Sequence, residues 1–362
     1  MSDIDETPDR VRERLEREEY TRLSPLAAKA AEAARPVEED ESPLRTAFQR
    51  DRDRIIHSKS FRRLKHKTQV FIGPIGDHYR TRLTHTLEMS QIARTMARAL
   101  RMNEDVTEAI ALAHDLGHTP FGHAGEDALR QIYDPSFKHN HQSLRIVDYL
   151  ANGGEGLNLT NEVREALVTS TPVEEGLASE GKGHGSVESK LVKLADTIAY
   201  INHDTDDAIR ARIISVKDLP ASVTRVLGNT NARRINTLVT DIIEQNWGLA
   251  YPDEDLAKQD RRDIELKVGA EVQGPADELK HFLYERVYVG SEAKAEVGKV
   301  DHLIITLFDY FCHHIEELPP ELQRNPRNEP AERLVVDYIA GMTDRFAIST
   351  FERLFVPRSW SI

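Results

Sequence analysis

The stretch AIALAHDLGHTPFGHAGEDAL, residues 109–129, sets three histidines and three acidic residues beside an apolar run. Apolar side chains lead into it at helical spacing, which predicts one buried face. That stripe consists of Val106, Ile110, Ala113 and Leu116. Asn103 is suited to cap the start of this helix, and Gly117 with Pro120 to end it. The ionisable residues therefore gather where a buried helix stops.

Helical spacing also dominates the rest of the chain. Residues 85–101 carry an apolar face opposite an arginine face, and further helices are predicted near 8–35, from His123 and from Asn140. The strand candidates are LKHKTQVFI (64–72) and ERVYVG (285–290), both short. The sequence therefore predicts an all-α fold with additional C-terminal helices and at most short β-hairpins.

The chain divides into three predicted regions. Residues 1–43 form a charged arm and linker, residues 44–215 carry almost every motif, and residues 216–362 form a further helical region. Loops are predicted at AYPDED (250–255), EVQGPAD (271–277) and LPPELQRNPRNEP (318–330), and residues 170–187 predict a loop at a pocket mouth.

Composition limits the function classes. The chain has 362 residues, 30% of them charged, and a net charge of −13, so it is poorly suited to bind long nucleic acids. Residues 44–101 are nevertheless rich in Arg and Lys, which favours a small polyanion or solvated helix faces. A single cysteine excludes an internal disulfide and a cysteine-based zinc site. No apolar run approaches membrane-spanning length and the N-terminus lacks a signal-peptide pattern, so a cytoplasmic location is expected.

His114 and Asp115 at the helix end would leave a metal ion under-coordinated, so further ligands must come from elsewhere. His85 lies at the start of the 85–101 helix, and Asp196 shares a helical line with Tyr200 and Asp204 at four-residue spacing. Two histidines and two aspartates suit a divalent ion. Residue type alone does not choose among Mn²⁺, Mg²⁺, Co²⁺, Fe²⁺, Ni²⁺ and Zn²⁺, and Mn²⁺ or Mg²⁺ is the ion expected here. Four protein ligands would leave open positions for water and substrate.

This pattern of His, His-Asp and Asp resembles the HD-domain phosphohydrolase superfamily. Longer stretches resemble bacterial deoxyguanosinetriphosphate triphosphohydrolase-like proteins from about residue 40 to near the C-terminus. They are RTAFQRDRDRIIHSKSFRRLKHKTQVF, YRTRLTHTLE, AHDLGHTPFGHAGE, LADTIAYINHDTDDAI and DYIAGMTDRFA. The resemblance implies hydrolysis of a dNTP, dGTP among them, to a deoxynucleoside and tripolyphosphate. It also implies a homo-oligomer, a tetramer or hexamer, and a dNTP activator as a second ligand.

The resemblance also assigns roles to residues. His123 and Glu126 would be the catalytic acid/base pair, with Glu126 orienting His123, and His118 would contact the α-phosphate or support the centre. The residues implied to bind substrate are Gln69, Arg82, His139, Tyr200 and Asp204, with Lys190 and His141 as weaker candidates. Vertebrate relatives carry Lys directly after the metal-binding aspartate, where this chain has Thr197, so the resemblance does not imply the phosphate contact of that Lys here.

Two other functions compete with this one. An HD phosphohydrolase could act on nucleoside monophosphates or (p)ppGpp, and Gln69, Tyr200 and Asp204 argue against it. A nucleotide or single-stranded nucleic-acid binding module without turnover would use the arginine-rich 44–101 zone, but the complete ligand set argues for an enzyme.

Overall fold

The computed structural model describes residues 10–69, 80–169, 176–289 and 293–357, and these confirm the all-α prediction. The α-helices are α1 Val11–Arg22, α2 Ala47–His57, α3 Lys59–Arg63, α4 Arg82–Ala99, α5 Glu104–Ala113, α6 His123–Ile132, α7 His139–Arg145, α8 Asn161–Thr169, α9 Leu177–Glu180, α10 Val187–Arg210, α11 Ala221–Val226, α12 Asn231–Gln245, α13 Glu254–Ala257, α14 Ala270–Leu283, α15 Ala293–His313, α16 Pro320–Gln323, α17 Ala331–Ala340 and α18 Asp344–Phe355. The β pairing among the described residues is one isolated bridge, between Thr68 and Thr81.

Three helices, α4, α5 and α10, form the centre of the molecule. Each begins with a side chain that caps exposed backbone N–H groups: Thr81, Asn103 and Ser186 accept from residues two or three positions ahead. The predicted Asn103 cap is thus confirmed. Their apolar faces meet in a core that also takes in α2, α8, α12 and α14. The site described below lies where these three helices come together.

A second apolar cluster joins α6 to α15, α17 and α18. It combines Phe121 and Leu129 with Ile304, Phe311 and Val335. Both clusters draw residues from the two sides of the predicted boundary at 215/216. That division stays a prediction, and the C-terminal helices pack directly on the elements that carry the motifs.

Several local predictions were wrong. The first helix was predicted near 8–35 but ends at Arg22, and Leu26 beyond its end is buried in the core. The strand candidates form a 3-10 turn at Leu64–His66 and a π-helix at Tyr284–Val289 instead, with residues 70–72 and 290 outside the described residues. Short apolar runs do not distinguish a strand from a buried helical turn, so pattern alone misassigned both.

The loop predictions also need correction. The EVQGPAD stretch lies inside α14, because the buried stripe of Val272, Ala276 and Leu279 outweighs the helix-breaking tendency of Pro275. Short helices α13 and α16 interrupt the other two predicted loops. Of residues 170–187, the described part contains the single turn of α9.

The basic zone is largely neutralised by ion pairs within the chain. Arg50 and Arg54 contact Glu39, and Arg52 lies against Asp105 and Glu108. These arginines therefore tie α2 to its neighbours instead of presenting a free cationic face. A search of the described helices finds none whose length and apolar character would let it cross a bilayer.

Candidate metal centre and catalytic cluster

Three of the four predicted metal ligands converge. His85 comes from the first turn of α4, His114 follows α5 directly, and Asp196 lies in the middle of α10. Each offers a ligand atom within 4.8 Å of the others. His85 Nε2 is 3.0 Å and His114 Nε2 is 3.9 Å from Asp196 Oδ1. We call these three residues the metal triad.

Asp115, the fourth predicted ligand, lies beside the metal triad. Its Oδ1 is 3.4 Å from His114 Nε2, while its Oδ2 accepts a 2.8 Å hydrogen bond from Arg82 Nη1. Burial acts to raise the pKa of the Asp115 carboxyl, but His114 and Arg82 together hold it well below its usual range. Asp115 is therefore an ionised carboxylate with one oxygen directed at the triad and the other held by arginine.

The hydrogen bond of His114 fixes which of its nitrogens can bind a metal ion. Its Nδ1 lies 2.7 Å from the carbonyl oxygen of Ala111, which can only accept, so Nδ1 carries the proton. The lone pair then lies on Nε2, the nitrogen that faces Asp196.

A longer chain of contacts fixes His85 in the same way. His203 Nε2 is 2.9 Å from Glu88 Oε2 and so donates to this carboxylate. The other ring nitrogen of a neutral His203 is an acceptor, and it lies 3.3 Å from His85 Nδ1. Burial lowers the pKa of His203, which favours the neutral ring. His85 Nδ1 therefore donates, which leaves Nε2 as the nitrogen that faces Asp196 and could bind a metal ion. Burial acts to lower the pKa of His85, but its hydrogen bond with Asp196 raises that pKa overall, so a bound cation would take the place of the hydrogen on Nε2.

These donors fit a divalent cation. Two imidazole nitrogens and an ionised carboxylate oxygen converge, with a second carboxylate adjacent, and the outer contacts that orient metal-binding histidines are in place. Sequence reasoning missed His203 and Glu88. Their signal was weak: His203 lies seven residues after Asp196, two helical turns along the same helix.

A second group of ionisable side chains lies next to the metal triad. His118, His123, Glu126 and His139 bring ligand-type atoms within 4.8 Å of one another, and we call them the catalytic cluster. The rings of His118 and His139 stack with centroids 4.3 Å apart, and His123 meets both edge-on. The side chain of His123 is 72% exposed, whereas His118 and Glu126 are buried.

Glu126 pairs more closely with His139 than with its expected partner. Its Oε2 is 2.8 Å from His139 Nδ1 and 3.6 Å from His123 Nδ1, while Oε1 is 2.5 Å from Arg130 Nη2. Burial acts to raise the pKa of Glu126, but contacts with His123 and His139 hold it below its usual value. The carboxylate stays ionised, and His123 keeps freedom to move.

Orphaned polar atoms mark the space beside the two groups. Buried polar side-chain atoms usually have hydrogen-bond partners, yet four predicted site residues each keep one such atom that finds no partner among the described residues. These atoms are Gln69 Oε1, Arg82 Nε, His118 Nδ1 and Asp204 Oδ1. Burial lowers the pKa of His118 well below its usual value, so its ring is neutral. A polar ligand would supply the missing partners.

Asp204 has a partner that the sequence did not reveal. Tyr288, from the π-helix that was predicted as a strand, donates its hydroxyl hydrogen to Asp204 Oδ2. Burial raises the pKa of Asp204 to about 7, and it also raises that of Tyr200, which lies one helical turn earlier on α10. The C-terminal region thus contributes a side chain directly to the predicted sugar-binding residues.

Asp344, at the start of α18, fixes the turn that presents the catalytic cluster. It accepts from the backbone N–H of Phe121 at 2.9 Å and of Thr68 at 2.8 Å. Phe121 and Gly122 both have positive φ angles, of 62° and 63°, so this turn needs outside support. The buried ammonium of Lys67 braces the same region by donating to the carbonyl oxygens of His118 and Ala340.

Two weaker predictions fall away from the site. Lys190 is fully buried and donates to the carbonyl oxygens of Arg262 and Ile264 at 2.8 and 2.7 Å, so its role is structural. His141 is exposed and lines a separate cavity. Neither joins the metal triad or the catalytic cluster.

Comparison with known proteins agrees with this arrangement. Residues 82–201 match the HD domain, and residues 266–353 match the phosphohydrolase-associated domain. A deoxyguanosinetriphosphate triphosphohydrolase-like protein from Caldanaerobacter subterraneus is 48% identical over 97% of each chain. A protein of the same name from Desulfatibacillum aliphaticivorans is 42% identical over 96% of this chain and 98% of its own. A solved hypothetical protein from Aquifex aeolicus matches at TM-score 0.41 and 18% identity over 84% of this chain and 71% of its own, too distant to bear on function.

Proposed function

The chain belongs to the deoxyguanosinetriphosphate triphosphohydrolase-like family of HD-domain hydrolases, and from that premise we propose that it hydrolyses dNTPs, with dGTP among its substrates. The products would be a deoxynucleoside and tripolyphosphate. The observation that carries the proposal is the metal triad, with both imidazole tautomers fixed, beside a histidine cluster that contains an exposed acid/base candidate.

The residues proposed to hold the cation are His85, His114, Asp115 and Asp196. When bound, a divalent cation supplies Lewis-acid stabilisation of the charge that develops on phosphate oxygens. Mn²⁺ or Mg²⁺ is the cation proposed first, and the mixed nitrogen and oxygen donor set also admits Co²⁺, Fe²⁺, Ni²⁺ and Zn²⁺. Arg82 would then pair with phosphate oxygens through the guanidinium nitrogens that Asp115 leaves free.

The reaction requires water to add to the α-phosphorus and the bond to the 5′ oxygen to break. His123 is the proposed donor of the proton that this oxygen needs, because it is the exposed member of the catalytic cluster and lies beside the ionised Glu126. His118 is neutral and has a free Nδ1, so it would exchange a hydrogen bond with the α-phosphate or the attacking water. His139, held by Glu126, would face the remaining phosphates.

Sugar recognition is assigned to Gln69, Tyr200 and Asp204. The unpartnered oxygens of Gln69 and Asp204 are suited to polar contacts with a deoxyribose hydroxyl. A site built to bind a hydroxyl group strongly disfavours analogues that leave such buried groups unpaired. Tyr200 would pack against the sugar and exclude a 2′-hydroxyl.

The test is an activity matrix. Metal-stripped protein is reloaded with Mn²⁺, Mg²⁺ or Co²⁺ and incubated with single dNTPs and with dNTP pairs, and products are resolved by chromatography and ³¹P NMR. Tripolyphosphate and deoxynucleoside support the proposal. Release of inorganic phosphate or pyrophosphate, or turnover confined to monophosphates or (p)ppGpp, contradicts it. Tight nucleotide binding without turnover favours a binding module, and activity with dNTP pairs alone supports an activator site. Light scattering during turnover tests the proposed homo-oligomer.

A further inference from the structure

A cavity separate from the catalytic cluster lies between the end of α6, the following turn, α7 and α17. Its volume is about 240 Å³, and its walls include Tyr133, Phe137, Lys138, His141 and Arg333. None of the metal triad or catalytic cluster residues lines it. His139 of α7 contacts Glu126, whereas His141 and Arg145 of the same helix line the cavity.

The cavity is lined by cationic groups with unused hydrogen-bond donors. Lys138 is half-buried, and within the described residues its ammonium makes no hydrogen bond or ion pair. Arg333 engages Gln142 and Asp337 through Nη2 alone, and its buried Nε has no partner. A partly desolvated ammonium without a counter-charge is unfavourable, so this wall is suited to an anion.

The nearby acidic groups are already engaged. Asp337 and Glu329 accept all the side-chain hydrogen bonds of Arg145, and Asp337 also accepts from Arg333. Asp134 is the acidic residue among those lining the cavity, and its Oδ1 accepts from the backbone N–H and hydroxyl of Ser136. Asp134 keeps its charge, since Ser136 is neutral, and Lys138 is the cation of the cavity wall that no described acid pairs with.

We propose that this cavity is an anion-binding site for a phosphoryl group. Lys138, the free Nη1 of Arg333 and the ring of His141 are the groups that would donate to its oxygens. The phosphoryl group could come from inorganic phosphate, from tripolyphosphate or from a nucleotide, and these share the same recognition chemistry. The site goes beyond the proposed function, because no step of the hydrolysis uses it.

Occupancy of this site would be transmitted to the catalytic cluster. The carbonyl oxygen of Phe137 accepts a 2.9 Å hydrogen bond from Arg130 Nε, and Arg130 Nη2 binds Glu126. Lys138 directly precedes His139 at the start of α7. A ligand that draws Lys138 into the cavity would shift the contacts of Arg130 with Phe137 and with Glu126. Phosphate is therefore expected to change the turnover rate as well as to bind.

The experiment measures binding without turnover. Metal-free, full-length protein is titrated with inorganic phosphate by calorimetry, alone and with a non-hydrolysable dGTP analogue filling the substrate site. The same titration is run on Lys138→Gln and on the control Lys217→Gln, an exposed lysine elsewhere on the surface. We expect Lys138→Gln to weaken phosphate binding about 10- to 100-fold, as for loss of a charge-assisted hydrogen bond. Lys217→Gln should match wild type, and the analogue should leave phosphate binding in place.

The titration is repeated with tripolyphosphate and with the dGTP analogue to identify which compound supplies the phosphoryl group. A ligand that uses the cavity should bind Lys138→Gln more weakly than wild type. Three results would overturn the proposal. The first is that wild-type protein does not bind phosphate, and the second is that Lys138→Gln binds phosphate as well as wild type does. The third is that the analogue displaces phosphate and that Lys138→Gln has a raised KM for dNTP. The last result would place Lys138 in the substrate site. Because Lys138 has no partner among the described residues, its variant should fold normally, and the binding readouts do not depend on the reaction catalysed.

Discussion

The two histidine groups differ in how freely their rings can move. In the metal triad, both imidazole rings are buried, and each has its Nδ1 hydrogen committed, to Ala111 for His114 and to His203 for His85. In the catalytic cluster, His123 is 72% exposed and lies 3.6 Å from its nearest carboxylate oxygen. The chain thus places a fixed histidine site and an adaptable one side by side.

This contrast follows from what each kind of chemistry needs. A metal ligand must present one lone pair in one direction, so outer contacts that settle its tautomer are favourable. A proton donor must gain and lose a hydrogen, so a ring with access to water suits it better. The exposure of His123 therefore distinguishes the proposed proton donor from the buried metal ligands, a difference that the row of histidines in the sequence does not show.

The largest effect should come from removing the shared carboxylate of the metal triad. Asp196→Ala deletes the oxygen that approaches both histidines and should lower kcat by on the order of 10³-fold or more, because several kcal/mol of charge stabilisation are lost with the cation. Metal content by atomic emission should fall in parallel. Asp255→Ala, an exposed acid on α13, is the matched control. Full metal content in Asp196→Ala would contradict the assignment of the triad.

Removing the adaptable histidine should affect catalysis alone. His123→Ala is expected to lower kcat by about 10²- to 10⁴-fold, the usual contribution of a general acid, while Mn²⁺ affinity stays at the wild-type value. The measurement pairs steady-state kinetics with metal titration. His281→Ala, an equally exposed histidine on α14, should match wild type in both. Loss of metal binding in His123→Ala would show that the two groups form a single site, and the contrast drawn between them would then be wrong.

The pH dependence of the free energy of unfolding tests how much stability the burial of the Asp204 carboxyl on α10 costs. Burial raises its pKa to about 7 from the usual 3.8, so the folded protein holds a proton that the unfolded chain releases near pH 4. Stability should therefore fall as pH rises from about 4 to 7, by at most about 4 kcal/mol, and then level off. Asp204→Asn, which can still accept from Tyr288, should raise Tm at pH 8 and leave it unchanged at pH 4.

Scanning calorimetry at the two pH values provides this measurement. Activity of Asp204→Asn should fall, because its amide oxygen is engaged by Tyr288 and the remaining NH2 group cannot accept from the sugar hydroxyl. If the Tm of the wild type rose between pH 4 and 7 in the same way as that of the variant, Asp204 would be ionised in the folded protein at little cost in stability. In that case the unpartnered Oδ1 would have no bearing on stability.

The sequence predicted the elements near residues 85–129 well and the C-terminal contributions poorly. Helix spacing and capping located α4 and α5, and the His-Asp doublet pointed to the metal triad. Asp344 and Tyr288 lie more than 80 residues from their partners Thr68 and Asp204, a distance at which no local pattern links them. His203 was missed for another reason: a histidine on a buried helix face resembles an ordinary core residue until Glu88 is found opposite it.

The two smallest expected effects concern the residues behind His85, and they sharpen the comparison most. His203→Ala removes the acceptor that holds the hydrogen of His85 Nδ1, so His85 can rotate or take the tautomer with its hydrogen on Nε2. Loss of such an outer contact typically costs 10- to 100-fold in metal affinity. We expect that loss in Mn²⁺ titrations. His203→Asn should recover part of it, because its side-chain oxygen can accept from Nδ1.

Glu88→Gln independently tests the same series of hydrogen bonds, which runs from Glu88 through His203 to His85. Without the carboxylate, His203 is no longer required to donate through Nε2, and both tautomers of His85 become accessible. Its metal affinity should therefore fall in the same direction as that of His203→Ala but by less, since His203 itself remains. NMR of ¹⁵N-labelled histidine should show His85 with its hydrogen on Nδ1 in wild type and a mixture in both variants. Wild-type metal affinity in His203→Ala would mean that the triad orients itself, and the fixed character of this site would then rest on burial rather than on hydrogen bonds.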